Sequence, residues 1–239
     1  MQRCIEPEWL DELPAQDPRA VQSREDLLRL NAWMGNAAIL ARALRGACNG
    51  HPPRRIIELG AGDGRFALRA ARRLARNWPE VSVTLLDRQE LVTAETAAAF
   101  AALGWRGETV TADVLERLQE PTAQSGDWLT ANLFLHHFSA NQLAGLFCDA
   151  AMRACVFVAV EPRRSAFVLT FSRCLWLIGC RAVTRHDAPA SVRAGFVGRE
   201  LSQLWPKDSG WSLEERPAGL FSHLFVARRV AGFNSLSSS

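Results

Sequence analysis

Three glycines in five positions follow a short apolar run in the stretch IIELGAGDGRF, at Gly60, Gly62 and Gly64. A glycine turn between a strand and a helix permits positive φ and lets a ligand approach the backbone closely. A dinucleotide loop needs its third glycine at the position of Arg65, and a Walker loop needs a Gly-Lys pair. Neither is present, so the turn predicts a ligand site of another kind.

Two acids follow the next two apolar runs. Asp87 ends SVTLLD and Asp113 ends GETVTAD. If these runs are parallel strands, their carboxyl ends meet the glycine turn at one edge of the sheet. A carboxylate there accepts hydrogen bonds from a diol such as a ribose. Asp63 inside the glycine turn would repel a pyrophosphate, which favours a ligand without one.

Two adjacent histidines, His136 and His137, follow the fourth apolar run in ANLFLHHF. The chain has no tyrosine and a single lysine far from these motifs, so histidine is the predicted general base at neutral pH. On a strand end the two rings should point to opposite sides, so only one should enter the site, and His137 is preferred. His186 is a rival, and His223 reads as structural.

Orientation of a histidine base would need an acid beside it. Glu161 and Asp187 are the candidates for that position, although the sequence alone does not give the distances.

The elements that must position these residues alternate between apolar strand candidates and helical patterns. The predicted strands are 54–60, 82–87, 107–113, 127–138 and 155–162, with helical patterns between them and a final antiparallel pair turning at 217–219. The runs alternate little in polarity, as expected of strands covered on both faces. This order predicts an α/β fold with a doubly wound parallel sheet.

Two further helical patterns lie outside this alternation. Residues 23–44 read as one helix with Ser23 as its N-cap, and residues 165–182 read as one apolar helix. Both carry aromatic residues, so we expect them to close over the ligand as a lid. The aromatic and apolar wall expected from these and nearby segments comprises Trp33, Met34, Phe167, Phe171, Trp176 and Phe196.

Composition narrows the functional class. The chain has 239 residues, a net charge of +3 and six scattered cysteines without a CxxC pair. This predicts no metal site and no disulfide framework, and it favours the cytoplasm. The acidic, proline-broken start is unlike a signal peptide, and the longest apolar stretch is too short to span a bilayer. The arginines are spread along the chain, so no nucleic-acid partner is expected.

These motifs together resemble the class I S-adenosylmethionine (SAM)-dependent methyltransferases, over residues 56–228. The resemblance implies a Rossmann-like, mostly parallel seven-stranded sheet with an antiparallel C-terminal strand pair. It also implies a helical extension or lid at 1–50, the methyltransferase domain at 51–230 and a disordered tail at 231–239. The cofactor is then SAM.

The resemblance assigns roles to the motifs one by one. The loop under the methionine part comprises Glu58, Gly60, Ala61, Gly62 and Gly64. Asp87, with Arg88 beside it, takes the ribose, and Asp113 with Val114 lies at the adenine. The strand-four motif facing the sulfonium and the acceptor supplies Asn132, Leu133, His136 and His137. The predicted catalytic residues are His137, His136 and His186.

The acceptor is less well defined. Strand four lacks the Asp/Asn-Pro-Pro-aromatic motif of amine methylases of nucleic-acid bases, and no Pro-Cys nucleophile is present. The chain is similar to compact bacterial methyltransferases of quinones, phenols and polyketide-like products, including ones found beside type III polyketide synthases. We therefore predict O-methylation of a small hydrophobic or aromatic hydroxyl compound in a biosynthetic pathway. Methylation of RNA or protein, or a non-catalytic SAM-binding scaffold, are the alternatives. The oligomeric state stays open.

Overall fold

The computed structural model describes residues 1–48, 50–120, 126–207 and 210–230. Within these residues the strands form one seven-stranded sheet in the order β3-β2-β1-β4-β5-β7-β6. The strands are β1 Arg55–Leu59, β2 Ser82–Asp87, β3 Arg106–Thr111, β4 Asp127–Asn132, β5 Ala154–Pro162, β6 Trp211–Ala218 and β7 Ser222–Arg229. The first five run parallel, and β7 is antiparallel to both of its neighbours. The predicted doubly wound sheet with a C-terminal antiparallel pair is confirmed.

Helices cover both faces of the sheet. They are α1 Trp9–Glu12, α2 Pro18–Met34, α3 Asn36–Ala47, α4 Arg65–Leu74, α5 Ala94–Ala102, α6 Val114–Gln119, α7 Ala140–Arg153, α8 Ala166–Arg173, α9 Ala182–Ala194 and α10 Glu200–Leu204. One core lies between the sheet and α3, α4 and α5, and the other lies between the sheet and α6, α7 and α10. Among the helices of the described residues, none is both long and apolar enough to cross a membrane.

The predicted helix 23–44 is in fact two helices. Asp17 caps α2 by accepting a hydrogen bond from Arg19 N–H, and Pro18 takes the first helical position. Ser23 is therefore not the N-cap; it is buried in mid-helix, where its hydroxyl lies 3.0 Å from that of Thr184. Gly35, with φ of +74°, ends α2 and separates it from α3.

The predicted apolar helix 165–182 is also interrupted. Ser165 caps α8, which ends at Arg173, and a short 3₁₀ turn, Leu175–Ile178, stops at Gly179 with φ of +75°. The following residues form α9, which has Pro189 inside it. Residues 231–239, predicted to be a disordered tail, lie outside the described residues.

Candidate active site

The glycine loop joins β1 to α4 and uses its three glycines for different reasons. A Cβ on Gly60 would lie 2.1 Å from the Phe134 ring, and one on Gly64 would lie 2.8 Å from a Leu85 methyl carbon. A Cβ on Gly62 would meet nothing within 4 Å, although its φ of +55° still favours glycine. The first and third glycines therefore accommodate the chain's own side chains, and only Gly62 leaves open space.

We expect Gly60→Ala to destabilise the fold by about 2–5 kcal/mol, because overpacking against Phe134 adds to the strain at positive φ. The matched variant Gly62→Ala bears only the φ strain, of about 1–2 kcal/mol. Urea unfolding of both variants measures the difference. Equal losses of unfolding free energy would show that Phe134 moves aside at no cost.

A cleft of about 1000 Å³ opens above the glycine loop at the carboxyl ends of the strands. Most of the predicted site residues line it: Gly60, Gly62, Asp87, Arg88, Asp113, Val114, Leu133, His136 and His137. Glu58, Ala61, Gly64, Asn132 and His186 are not part of its lining. The parallel strands thus bring the acids and the histidine pair to one cavity, as the strand-end argument predicted.

Asp87 connects the end of β2 to the glycine loop. Its Oδ2 accepts a hydrogen bond from Gly62 N–H at 2.8 Å, and its Oδ1 accepts one from Gln89 N–H at 2.9 Å. Each carboxylate oxygen retains a second lone pair for a ligand hydroxyl. The side chain therefore fixes the loop and still presents acceptors to the cleft.

Asp113 marks the end of the neighbouring β3 element. It caps α6 by accepting a hydrogen bond from Leu115 N–H at 2.8 Å, and the Arg88 guanidinium lies 4.0 Å from its other oxygen. Its neighbour Val114 reaches into the core beneath the cleft. Asp87 and Asp113 thus stand at adjacent strand ends, where β2 and β3 pair in register.

Glu58 and Asn132 lie beneath the cleft. Burial raises the pKa of Glu58 to about 7, and the Thr130 hydroxyl donates a hydrogen bond to its carboxylate. The Asn132 amide bonds Asn31 and Asn36, both at 3.1 Å. Glu58 therefore links β1 to β4, and Asn132 links β4 to the α2–α3 junction. Both of these predicted cofactor residues support the site from below.

The chain leaves β4 through a strained residue. Leu133 has φ of +51°, which a branched side chain adopts at a cost of about 1–3 kcal/mol. The next two amides, of Phe134 and Leu135, both donate to Glu161 Oε1, at 3.1 and 2.9 Å. The predicted strand through Phe138 thus ends at Asn132, and a 3₁₀ turn, Leu135–His137, carries the histidines.

His136 is buried between two carboxylates. Its Nδ1 lies 2.9 Å from Glu161 Oε2, and its Nε2 lies 3.4 Å from Glu8 Oε1. Burial alone would lower the pKa of His136, but Glu161 and Glu8 outweigh burial and raise it to about 9. The ring is then an imidazolium at neutral pH and has no free lone pair to accept a proton.

This ion pair makes stability depend on pH. The pKa of His136 is about 9 in the folded protein against 6.5 ordinarily, so its stabilisation is complete below pH 6.5 and is lost as pH rises through 9. We expect the free energy of unfolding to fall by roughly 2–3 kcal/mol across that window. The His136→Phe variant should lack this fall. Parallel wild-type and variant curves from pH 6 to about 9.5 would contradict the assignment.

His137 is the more open of the two histidines. Its side chain is 27% exposed, and its Nδ1 lies 3.1 Å from Asp11 Oδ2. The two imidazole rings lie side by side, with centroids 4.2 Å apart and planes at 35°. The prediction that they point to opposite sides is wrong, because a 3₁₀ turn does not alternate side chains as a strand does.

His186 lies on the outer side of the site. Its ring stacks on Trp9 with a centroid distance of 3.7 Å, and its Nδ1 is 2.8 Å from Asp187 Oδ1. Asp187 also accepts hydrogen bonds from the backbone N–H groups of Trp9 and Leu10, at 2.9 and 3.0 Å. His186 and Asp187 therefore fasten α1. The remaining rival, His223, is buried in β7 against Glu215.

Residues 1–12, which we call the N-terminal strap, form one wall of the cleft. Arg3 donates to the carbonyl oxygens of Ala194 at 2.7 Å, His136 at 3.1 Å and Phe138 at 2.8 Å. The strap brings Glu8 and Asp11 to the histidine pair. No motif in the sequence indicated these two acids, and only the density of acids around Trp9 in a proline-broken stretch sets the segment apart.

The lid predicted from residues 23–44 and 165–182 differs from the observed wall of the cleft. From α2, Arg24 and Leu27 line the cleft, whereas α8 contributes no lining residue. None of the six residues predicted as an aromatic wall lines it either. Phe196, for example, is buried under the Arg3 guanidinium, 4.6 Å from its ring centre. Ile5, Leu10 and Phe138 are among the apolar residues that line the cleft instead.

A cation could be held by three of these side chains. Glu8, His136 and His137 each offer one ligand atom, and these atoms lie within 4.8 Å of one another. Imidazole and carboxylate together suit several transition metals. As an imidazolium paired with two carboxylates, however, His136 is not a ligand, so a metal would have to displace its proton.

Comparison with known proteins agrees with this fold. Residues 56–154 match the family model described as "Methyltransferase domain". A search of curated protein sequences found no match. Three solved structures illustrate the shared fold.

The plantazolicin methyltransferase BamL is 12% identical, with 92% of each chain covered and a TM-score of 0.62. An O-methyltransferase family protein from Burkholderia thailandensis is 19% identical, with 91% of this chain and 62% of that chain covered and a TM-score of 0.60. The magnesium protoporphyrin IX methyltransferase of Synechocystis PCC 6803 is 14% identical, with 82% and 83% covered and a TM-score of 0.52.

The sheet order and the glycine loop define a Rossmann-like domain of class I methyltransferase type. The chain is a SAM-dependent methyltransferase. Its residues fit that cofactor: Gly62 leaves open space in the loop, and Asp87 and Asp113 present free carboxylate lone pairs to the same cleft. BamL and the Synechocystis enzyme were crystallised with S-adenosylhomocysteine, the demethylated product of SAM.

Proposed function

We propose that this enzyme methylates a hydroxyl group of a small hydrophobic or aromatic acceptor. The observation that carries the proposal is the His137–Asp11 pair, 3.1 Å apart, at the wall of the cleft that also holds Asp87 and Asp113. A hydroxyl must lose its proton to become a good nucleophile, and a carboxylate-oriented histidine suits that task.

The chemistry follows from the tautomer of His137. With Nδ1–H donated to Asp11, Nε2 keeps the lone pair that accepts the hydroxyl proton. SAM, when bound, supplies an electrophilic methyl group. Glu8 and Glu161 hold the imidazolium of His136 in place. Because that ring is already protonated, His137 is the base. The strap covers this part of the cleft and keeps water from the reacting oxygen.

The names of the similar structures support a small acceptor. They include methyltransferases of plantazolicin and of magnesium protoporphyrin IX, and a pyocyanin biosynthetic protein, PhzM. The apolar lining residues of the cleft suit an acceptor of this kind. The proposal includes a biosynthetic role and a cytoplasmic location. The six free cysteines support the cytoplasmic location.

Within this proposal Asp87 binds the ribose of SAM. We expect Asp87→Ala to weaken SAM binding by roughly 5- to 150-fold, equivalent to 1–3 kcal/mol, because ribose hydroxyls lose an acceptor and the Gly62 amide loses its partner. Isothermal titration calorimetry with SAM measures the change. Glu90→Ala, three residues later, is the control for surface charge. An unchanged dissociation constant would remove Asp87 from the cofactor site.

The proposal as a whole is tested by incubating the enzyme with SAM and panels of phenols, hydroxyquinones and polyketide-like hydroxy compounds. Mass spectrometry should find products heavier by one methylene, and NMR should place the new methyl on oxygen. Prior dialysis against EDTA should leave the rate unchanged. A methyl on carbon or nitrogen, transfer only to RNA or protein, or binding of SAM without transfer to any acceptor would overturn it.

A further inference from the structure

A large apolar surface remains exposed away from the cleft. It consists of side chains that are 52–64% exposed although none is polar: Trp33, Phe167, Trp176, Leu177, Ile178 and Leu220. We call it the aromatic face. Single exposed apolar residues are common, but contiguous groups of large ones mark interaction sites.

Ring contacts join Trp33 and Phe167 of this face through Phe171 and Phe221. Trp33 stacks on Phe171 at 5.1 Å and contacts Phe221 at 4.8 Å, and Phe167 lies 6.0 Å from Phe221. Phe171 also packs against the buried cluster of Leu30, Leu175 and Cys180, and Leu175 directly precedes the exposed residues 176–178. The end of α2, the helix α8, its 3₁₀ turn and the β6–β7 turn thus share one apolar surface.

The segment that contains most of this face carries basic side chains and no acidic ones. Residues 163–186, which contain most of it, include no acid and five arginines: Arg163, Arg164, Arg173, Arg181 and Arg185. Of these, Arg164 is buried and pairs with Glu200, so it adds no charge to the surface. Arg173 and Arg185 are exposed and have no carboxylate partner among the described residues. Arg181 pairs with the buried Asp26 but keeps half of its side chain in solvent.

This charge distinguishes between two possible partners of the aromatic face, a second copy of the chain and an anionic lipid surface. A two-fold contact with a second copy of the chain would place this arginine-bearing surface against itself. An anionic lipid surface instead complements the arginines, and its headgroup region accepts tryptophan together with partly inserted leucine and isoleucine side chains. We propose that the aromatic face docks on an anionic membrane surface, with α8 and the turn 175–178 lying in the headgroup region.

Vesicle sedimentation tests this docking without reference to the methyl acceptor. The wild-type protein should bind vesicles of phosphatidylcholine with phosphatidylglycerol and bind pure phosphatidylcholine at least tenfold more weakly. The double substitution Trp176→Ser with Leu177→Ser should lower partitioning by roughly tenfold or more, since it removes two large apolar side chains that would be buried in the headgroup region. Arg173→Glu should lower binding to the anionic vesicles by about tenfold.

Met152→Ser is the matched control, because Met152 is 71% exposed on α7, outside the aromatic face. It should bind vesicles like the wild type. All variants should keep their unfolding midpoint and SAM affinity, since none of these residues lines the cleft. The proposal is overturned if anionic vesicles do not sediment the wild type, or if the double variant binds as well as Met152→Ser. A concentration-dependent dimer that the double variant abolishes, with no vesicle binding, would assign the face to a second copy.

Discussion

His137→Ala should lower the single-turnover rate of methyl transfer by roughly 10²- to 10⁴-fold, the usual contribution of a general base. The physical reason is that His137 is the histidine of the cleft with a carboxylate on Nδ1 and a partly exposed ring. The loss of rate in acid that a general base imposes on the wild type should be absent from the variant. SAM affinity should hardly change, because the residue acts on the acceptor.

Rapid-quench assays across pH measure this effect, with His51→Ala as the control for loss of an exposed histidine away from the cleft. Asp11→Asn should reproduce part of the loss, since an amide orients the ring without stabilising its charge. A full rate with an unchanged pH profile in His137→Ala would show that the ring is structural. An acceptor already ionised at neutral pH would show the same rate in all variants, and it would contradict the base role.

Deletion of residues 1–12 should lower turnover by more than about 10²-fold, because it removes Asp11, Glu8 and the wall that excludes water. SAM affinity should fall less than tenfold, since the glycine loop and Asp87 belong to the sheet domain. The measurement compares kcat with the calorimetric dissociation constant of SAM.

A double variant, Glu8→Gln with Asp11→Asn, keeps the strap and tests its charges alone. It should lose most of the activity lost on deletion while retaining the wild-type unfolding midpoint to within a few degrees. A truncated protein that is folded and turns over at the normal rate would show that the strap takes no part in catalysis.

The part of the cleft that holds the glycine loop, Asp87 and Asp113 could be predicted because it depends on local sequence. The glycine loop, Asp87 and Asp113 each follow an apolar strand, and parallel strands bring their ends together whatever the rest of the chain does. The side chains of Glu58 and Asn132 could not be placed in this way. Whether a residue near a strand end faces a cleft or the layer beneath it depends on packing partners distant in sequence, here Thr130 and Asn36.

The part of the cleft that holds His136 and His137 depends on contacts between residues distant in sequence, and it was only partly predictable. Glu161 and Asp187 were correctly considered as partners of histidines, but which histidine faces the cleft followed from a 3₁₀ turn that begins after the strained Leu133. The aromatic residues of α2 and α8 were predicted to line the ligand cavity, but apolar periodicity does not say which cavity a helix faces. Trp33, for example, lies on the outer surface.

The N-terminal strap affects how the concentration of active sites in purified enzyme should be measured. Arg3 and Ala194 form a hydrogen bond across 191 positions of the chain, so the strap leaves the ribosome long before its partners on α9 exist. Contacts of such long range form only when both ends of a large loop meet, whereas the hydrogen bond from Gly62 N–H to Asp87 spans 25 positions. We therefore expect refolded or partly damaged molecules that lack Asp11 and Glu8 beside the histidine pair to bind SAM still. Titration with SAM counts such molecules as active sites, so specific activity should be normalised by a burst of methyl transfer.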